Sequence, residues 1–131
     1  IFISGAQELM ITEHCLLMSQ GPCNEDCANC RRRRSPHYLK DRKGYEFPVV
    51  TDALGRSHLY NSVDLDLAPS LPDLMAAGVT SFMVDTTLMN GEQAAQAVGR
   101  AIRALRNAQS DGNPLAKIAS ATTGHLFRGV Q

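Results

Sequence analysis

From Gly21 to Pro36 the chain reads GPCNEDCANCRRRRSP, a stretch with almost no apolar side chain that could hold it against a core. A loop of this composition inside a folded protein has to be ordered by something other than hydrophobic burial. All four cysteines lie in or just before it, Cys15, Cys23, Cys27 and Cys30, separated by seven, three and two residues, and four consecutive arginines follow, Arg31, Arg32, Arg33 and Arg34. Any fold for this chain must put the stretch at a surface and staple it there.

A C-x3-C-x2-C core can wrap one inorganic centre, and four thiolates satisfy either tetrahedral zinc or a cubane [4Fe-4S] cluster. The spacing matches neither a zinc-finger pattern nor the usual ferredoxin run. Disulfides require an oxidising compartment, for which no leader peptide is visible in the sequence; they would also close only short loops here. Metal or cluster ligation by Cys15, Cys23, Cys27 and Cys30 therefore ranks first, unbonded structural or redox thiols second and disulfides last. Arg31 to Arg34 suit such a centre, since nearby cations lower a thiol pKa and offset the charge of four thiolates. They equally suit phosphate or RNA, and the plainest reading of a charge run is a solvated loop.

The whole chain carries thirteen basic and thirteen acidic residues, so global charge points to neither nucleic acid nor membrane. Locally, Arg31 to Arg34, Lys40, Arg42 and Lys43 are opposed only by Asp41. With 131 residues, 44% of them hydrophobic, and no apolar run near the ~18 residues of a spanning helix, one soluble, cytoplasmic domain without a membrane segment is expected. The opening Ile1–Ile3 reads as the middle of a strand. The chain is accordingly expected to be a piece of a longer protein, and its open edges to favour self-association of the isolated piece.

Four segments emerge. Residues 1–44 hold strands at Ile1–Ile3 and Leu9–Ile11 and the Cys/Arg-rich loop; residues 45–67 read as a β-hairpin, with Tyr45–Val50 and Ser57–Val63 flanking TDALGR. Residues 70–107 read as helix (Ser70–Ala77), strand (Val79–Val84) and helix (Asn90–Asn107), and residues 108–131 as a C-terminal tail. The long helix puts Ala94, Ala95, Val98, Ala101, Ile102 and Leu105 on one face and Arg100, Arg103 and Arg106 elsewhere, and Asn90 with Gln93 forms a capping box. This order is the grammar of a βα unit in an α/β fold.

Asp85, Thr86 and Thr87 follow VTSFMV at its carboxyl end, where sheet and barrel enzymes place site residues; a polar turn into the next helix explains them as well. Glu13, His14 and Cys15 are adjacent, and neighbours at a strand end point to opposite faces, which argues against a Cys/His dyad. His37, His58 and His125 read as surface or hydrogen-bonded residues. No GxSxG, HExxH or phosphate-loop motif is present, so no catalytic residue is assigned.

The stretches LMITEHC, SPHYLKDRKGYEFPVVTD, GRSHLYNSVDLDL, LPDLMAAGVTSFMVDTT and TTGHLFRGV resemble the U32 peptidases, the collagenase-like proteases. The resemblance implies a TIM-like barrel to which this chain supplies late βα units, with the Cys-rich loop and the β-hairpin inserted between them, and, by the family's label, action on peptides. Relatives include an accessory pair for oxygen-independent ubiquinone hydroxylation and factors for hydroxylation of transfer or ribosomal RNA. The ubiquinone pair holds an iron–sulfur cluster through four cysteines. Cys15 and Cys23 match its first two positions, Cys27 and Cys30 fall where the third lies, and Asp66 stands where one relative has its last ligand. The resemblance thus implies part of a peptidase-like enzyme with a four-cysteine metal or iron–sulfur site. The alternatives are an iron–sulfur-dependent RNA or ubiquinone hydroxylation factor, or a zinc-stapled module that binds nucleic acid without catalysis.

Overall fold

A computed structural model describes residues 1–110 and 112–124. In chain order its elements are β1 (Phe2–Gly5), β2 (Glu8–Thr12), β3 (His37–Lys40), β4 (Glu46–Thr51), β5 (Ser57–Tyr60), β6 (Leu65–Asp66), α1 (Leu71–Ala76), β7 (Met83–Val84) and α2 (Gly91–Gln109), with 3-10 turns at Leu16–Gln20, Arg31–Arg34 and Ala68–Ser70. They form two units: Ile1–Ala6 with Val63–Gln131, and Gln7–Ser62. Among the described residues no helix is long and apolar enough to cross a membrane.

In the first unit β1 is the middle strand of a sheet ordered β6-β1-β7, antiparallel to β6 and parallel to β7. Alternation along β1 buries Ile3 and leaves Phe2 half exposed, so one face of the sheet meets a core and the other does not. Ile3 packs with Leu65, Leu67, Leu71, Leu74 and Ala104, which joins the sheet to both helices. Thr122 adds a parallel bridge beside Leu65. Gly5, at φ +114°, lies directly under Asp85, and a Cβ there would run into the Asp85 carbonyl. Neither sheet of the chain closes on itself among the described residues.

The capping box expected at Asn90 is present: the Gln93 amide donates to Asn90 Oδ1 at 2.9 Å and the Asn90 amide to Gln93 Oε1 at 3.0 Å. The helix packs through part of the expected face. Ala101 and Leu105 go inward, joined by Ala104 and Ala108, while Val98 and Ile102 stay 42% and 44% exposed. Asp66 is buried on β6, and α2 delivers Arg100 to it, with Nη2 donating to Oδ2 at 2.8 Å and to the Ala116 carbonyl at 2.7 Å. The Asp66 carboxylate is thus buried with a cation beside it, where an unpaired charge would be costly.

The second unit is an antiparallel sheet ordered β2-β5-β4-β3. β4 and β5 pair where the hairpin is expected, Val49 opposite Leu59 and Thr51 opposite Ser57. Asp52 organises the turn: its Oδ1 accepts from the Leu54 and Arg56 amides, and Gly55 follows at φ +83°. The unit is closed at its stem, where the Asn61 amide donates to the Gln7 carbonyl at 2.8 Å. Its apolar core is small, with Leu17, Val49 and Tyr60 buried beside the polar Thr51 and Ser57.

Replacing Arg100 by Leu strands the Asp66 carboxylate in the interior. Urea denaturation should show a loss of about 3–5 kcal/mol, whereas Arg103→Leu, on the exposed side of the same helix, should change stability by under about 0.5 kcal/mol.

Candidate functional site

β2 stops at Thr12, whose hydroxyl accepts from the His14 amide at 3.2 Å. The chain bends there, so strand alternation no longer applies, and Glu13, His14 and Cys15 all line one cavity instead of pointing to opposite faces as expected. The Leu16 amide donates to Ser57 Oγ at 2.9 Å and Leu17 is buried, which ties the start of the thiol loop to β5.

The loop beyond Gly21 is ordered chiefly by two arginines. Arg32 donates from Nη1 to the carbonyls of Leu17 (3.2 Å) and Gly21 (2.8 Å) and from Nη2 to that of Pro22 (2.9 Å). Arg33 donates from Nε to the Thr51 carbonyl (2.8 Å) and from Nη1 to those of Cys27 (2.7 Å) and Ala28 (3.3 Å). His37 Nε2 bonds the Arg32 carbonyl at 2.6 Å, and Asp26 accepts from the Asn29 amide and side chain. Glu25 takes φ +62°, and the next turn is closed by the Cys30 amide donating to the Cys27 carbonyl at 3.4 Å. Arg31 and Arg34 are exposed. The four arginines are therefore not equivalent: two are consumed inside the fold, and two face solvent.

Cys15, Cys23, Cys27 and Cys30 are all free thiols and all line the same cavity, of about 230 Å³, whose other walls include Leu17, Arg33, Thr51 and Gly55. Cys15, Cys27 and Cys30 are half-buried and Cys23 is exposed; Cys27 is held closely on one side. Its sulfur rests against Gly55, where an added Cβ would come within 2.8 Å of Sγ. Burial pushes the Cys27 thiol up, the thiols of Cys15, Cys23 and Cys30 push it further, and Arg33 pulls it down. The donor set thus fits a four-thiolate centre in kind and in sharing one cavity. Among the described residues no three His, Cys, Asp or Glu side chains stand in metal-holding geometry.

Other residues singled out from the sequence are engaged elsewhere. Asp66 spends its carboxylate on Arg100 and on the Ala68 amide. Asp85 Oδ1 accepts from the Thr87 amide at 2.8 Å, a turn leading toward α2, and the Asp85 amide donates to the Ser4 carbonyl. The sequence reading passed over Asp64, at the same end of that sheet; partial burial and then Asp85 push its carboxyl up. His58 bridges Glu8 on β2 (Nδ1 to Oε2, 2.7 Å) and Asp52 at the hairpin turn (Nε2 to Oδ2, 3.2 Å). Glu8 and then Asp52 hold its imidazolium above the ordinary histidine value. Burial disfavours the charge of Asp52, yet hydrogen bonds from His58, Arg56 and Leu54 hold its carboxyl well below the usual carboxylate range. His125 lies outside the described residues.

Gly55 and Thr51 also escaped the sequence reading as site residues. The available signal was that the hairpin turn carries a glycine; what it packs against is a tertiary fact.

Compared with known proteins, the chain matches a family model described as Peptidase family U32 over residues 1–126. No curated protein matches it, and no solved structure does.

Two outcomes test the site. Gly55→Ala forces the Cys27 sulfur aside and should raise its alkylation rate several-fold under native conditions, with the rate at exposed Cys23 unchanged. By NMR, His58 should titrate above 6.5. A raised folded value means that its bridge stabilises fully below the unfolded pKa and is lost as pH rises through the folded one. Denaturation midpoints should fall over that window, and His58→Gln should abolish the dependence.

Proposed function

The chain belongs to peptidase family U32, and from that premise we propose that it is the part of a longer U32 protein in which Cys15, Cys23, Cys27 and Cys30 hold an inorganic centre, a [4Fe-4S] cluster or Zn2+. The observation that carries this reading is the shared cavity: four free thiols face it, and the Cys27 thiol feels the other three. Such a cluster supplies one-electron transfer when bound, and zinc in the same place supplies a structural staple.

The remainder of the chain is read as late βα units of a TIM-like barrel. Three features support this: the parallel pairing of β1 with β7, helices on the Ile3 side of that sheet, and a second side on which Phe2 and Met83 are 50% and 54% exposed among the described residues. In a barrel the second side faces inward. The substrate follows the family: a peptide, by its description, or RNA or ubiquinone, if the protein is a hydroxylation factor.

Solvent-facing groups on the second unit favour a second reading, a zinc-stapled nucleic-acid module. Tyr38 and Tyr45 are 56% and 53% exposed, and Arg31, Arg34, Lys40, Arg42 and Lys43 are exposed in the same segment of chain. Aromatic faces among exposed cations, of which Lys40 lies 3.9 Å from Glu46 Oε1, suit unstacked bases.

Full-length protein purified without oxygen decides between these. Iron with matching sulfide and a broad visible absorption supports the cluster; one zinc and no colour moves the reading to the staple. Neither metal, with all four thiols intact, overturns both. RNA affinity that falls steeply with salt, and with a shallower slope after replacement of Arg34, Arg42 and Lys43 by Gln, supports the second reading. Salt-insensitive or absent binding removes it. Cleavage of gelatin or short peptides, with Glu13, His14 and Asp85 replaced in turn, tests the peptidase reading, and no turnover by the intact protein counts against it.

A further inference from the structure

We propose that Arg32 and Arg33 are the positioning residues of the thiol site: two guanidinium forks that hold the loop 22–30 so that Cys23, Cys27 and Cys30 line the shared cavity before any centre is bound. The inference rests on the four-thiolate reading for its purpose, and on the geometry alone for its mechanism.

Their six hydrogen bonds all end on backbone carbonyls, and no carboxylate competes for either group among the bonds given above. The two forks hold opposite ends of the loop. Arg32 takes the carbonyls at its start, Gly21 and Pro22, next to Cys23. Arg33 takes those at Cys27 and Ala28 and ties them to Thr51 at the end of β4, on the strand that leads into the turn carrying Gly55. Cys27 is thereby fixed at its backbone by Arg33 and at its sulfur by Gly55.

The apolar content of the loop offers nothing comparable: Pro22 and Ala28 are its only aliphatic residues apart from the cysteines, and both are exposed. A guanidinium fork presents several donors in fixed relative directions, which an ammonium cannot reproduce. Charge alone is therefore not the point, and lysine should fail where arginine succeeds. Arg31 and Arg34, in the same 3-10 turn, reach solvent and make no such contact among the described bonds, so they serve as internal controls.

The test uses the whole chain, reduced and metal-free, with Arg32→Gln, Arg33→Gln, Arg33→Lys and Arg34→Gln. Hydrogen exchange is followed in peptides covering residues 22–30, with β4 and β5 amides as the check that the sheet is intact. Expected are slowed exchange in the wild type and Arg34→Gln, and loop exchange faster by at least about tenfold in the other three. Cobalt(II), followed by its thiolate charge-transfer absorption, should bind those three about 10- to 100-fold more weakly. A metal-free wild-type loop that exchanges at the unstructured rate overturns the proposal, as does wild-type affinity in Arg33→Lys. If Arg33→Gln also loosens the sheet, Arg32→Gln, whose partners lie outside the strands, carries the comparison. A protected wild-type loop that takes up no cobalt leaves this inference standing and removes the four-thiolate reading instead.

Discussion

Arg33 reaches two separate parts of the chain at once, the carbonyls of Cys27 and Ala28 on one side and that of Thr51 on the other. The order of the thiol loop depends on that reach. Fixing a residue's backbone costs about 1–2 kcal/mol, and a segment of Asn, Asp, Cys and Pro has little apolar surface to bury in return. Hydrogen bonds from a charged donor, worth about 1.5–3 kcal/mol each, are the compensation on hand, and Arg32 adds its own. In the other unit Arg100 plays a similar part, crossing from α2 to Asp66 and the Ala116 carbonyl. A chain with zero formal charge thus spends several cations on its own interior, and its charge balance is a poor guide to its partners.

Local signals were legible in the sequence. The hairpin around TDALGR and the Asn90–Gln93 box depend on neighbours within a few residues and appear where the pattern puts them, whereas the run Val79–Val84 is strand only at Met83–Val84 and β3 was not among the expected strands. The exposed, core-free character of the cysteine stretch could be read too, as could the need for something to hold it. What holds it could not: nothing in RRRR distinguishes Arg32 and Arg33 from Arg31 and Arg34, because the distinction is made by carbonyls five to eighteen residues away.

The same limit applies on α2. Periodicity puts Ala101 and Leu105 on the core side, where they are found, but also Val98 and Ile102, which stay exposed, and it gives no sign that Arg100 bonds Asp66, 34 residues away. At Cys15 the error was of another kind. Alternation was carried one residue past the end of β2, and a single bend was enough to bring Glu13, His14 and Cys15 to one cavity.

The bond between Asn61 and Gln7 has a wider meaning. β1 and β6 are paired neighbours, and the whole thiol-bearing unit leaves the chain after one and returns before the other. Topologically it is a very long hairpin loop whose two ends already touch. Because closure entropy grows only with the logarithm of loop length, the length of the excursion adds little to the cost of pairing β1 with β6, and Ser4 keeps its register with Asp66 across it.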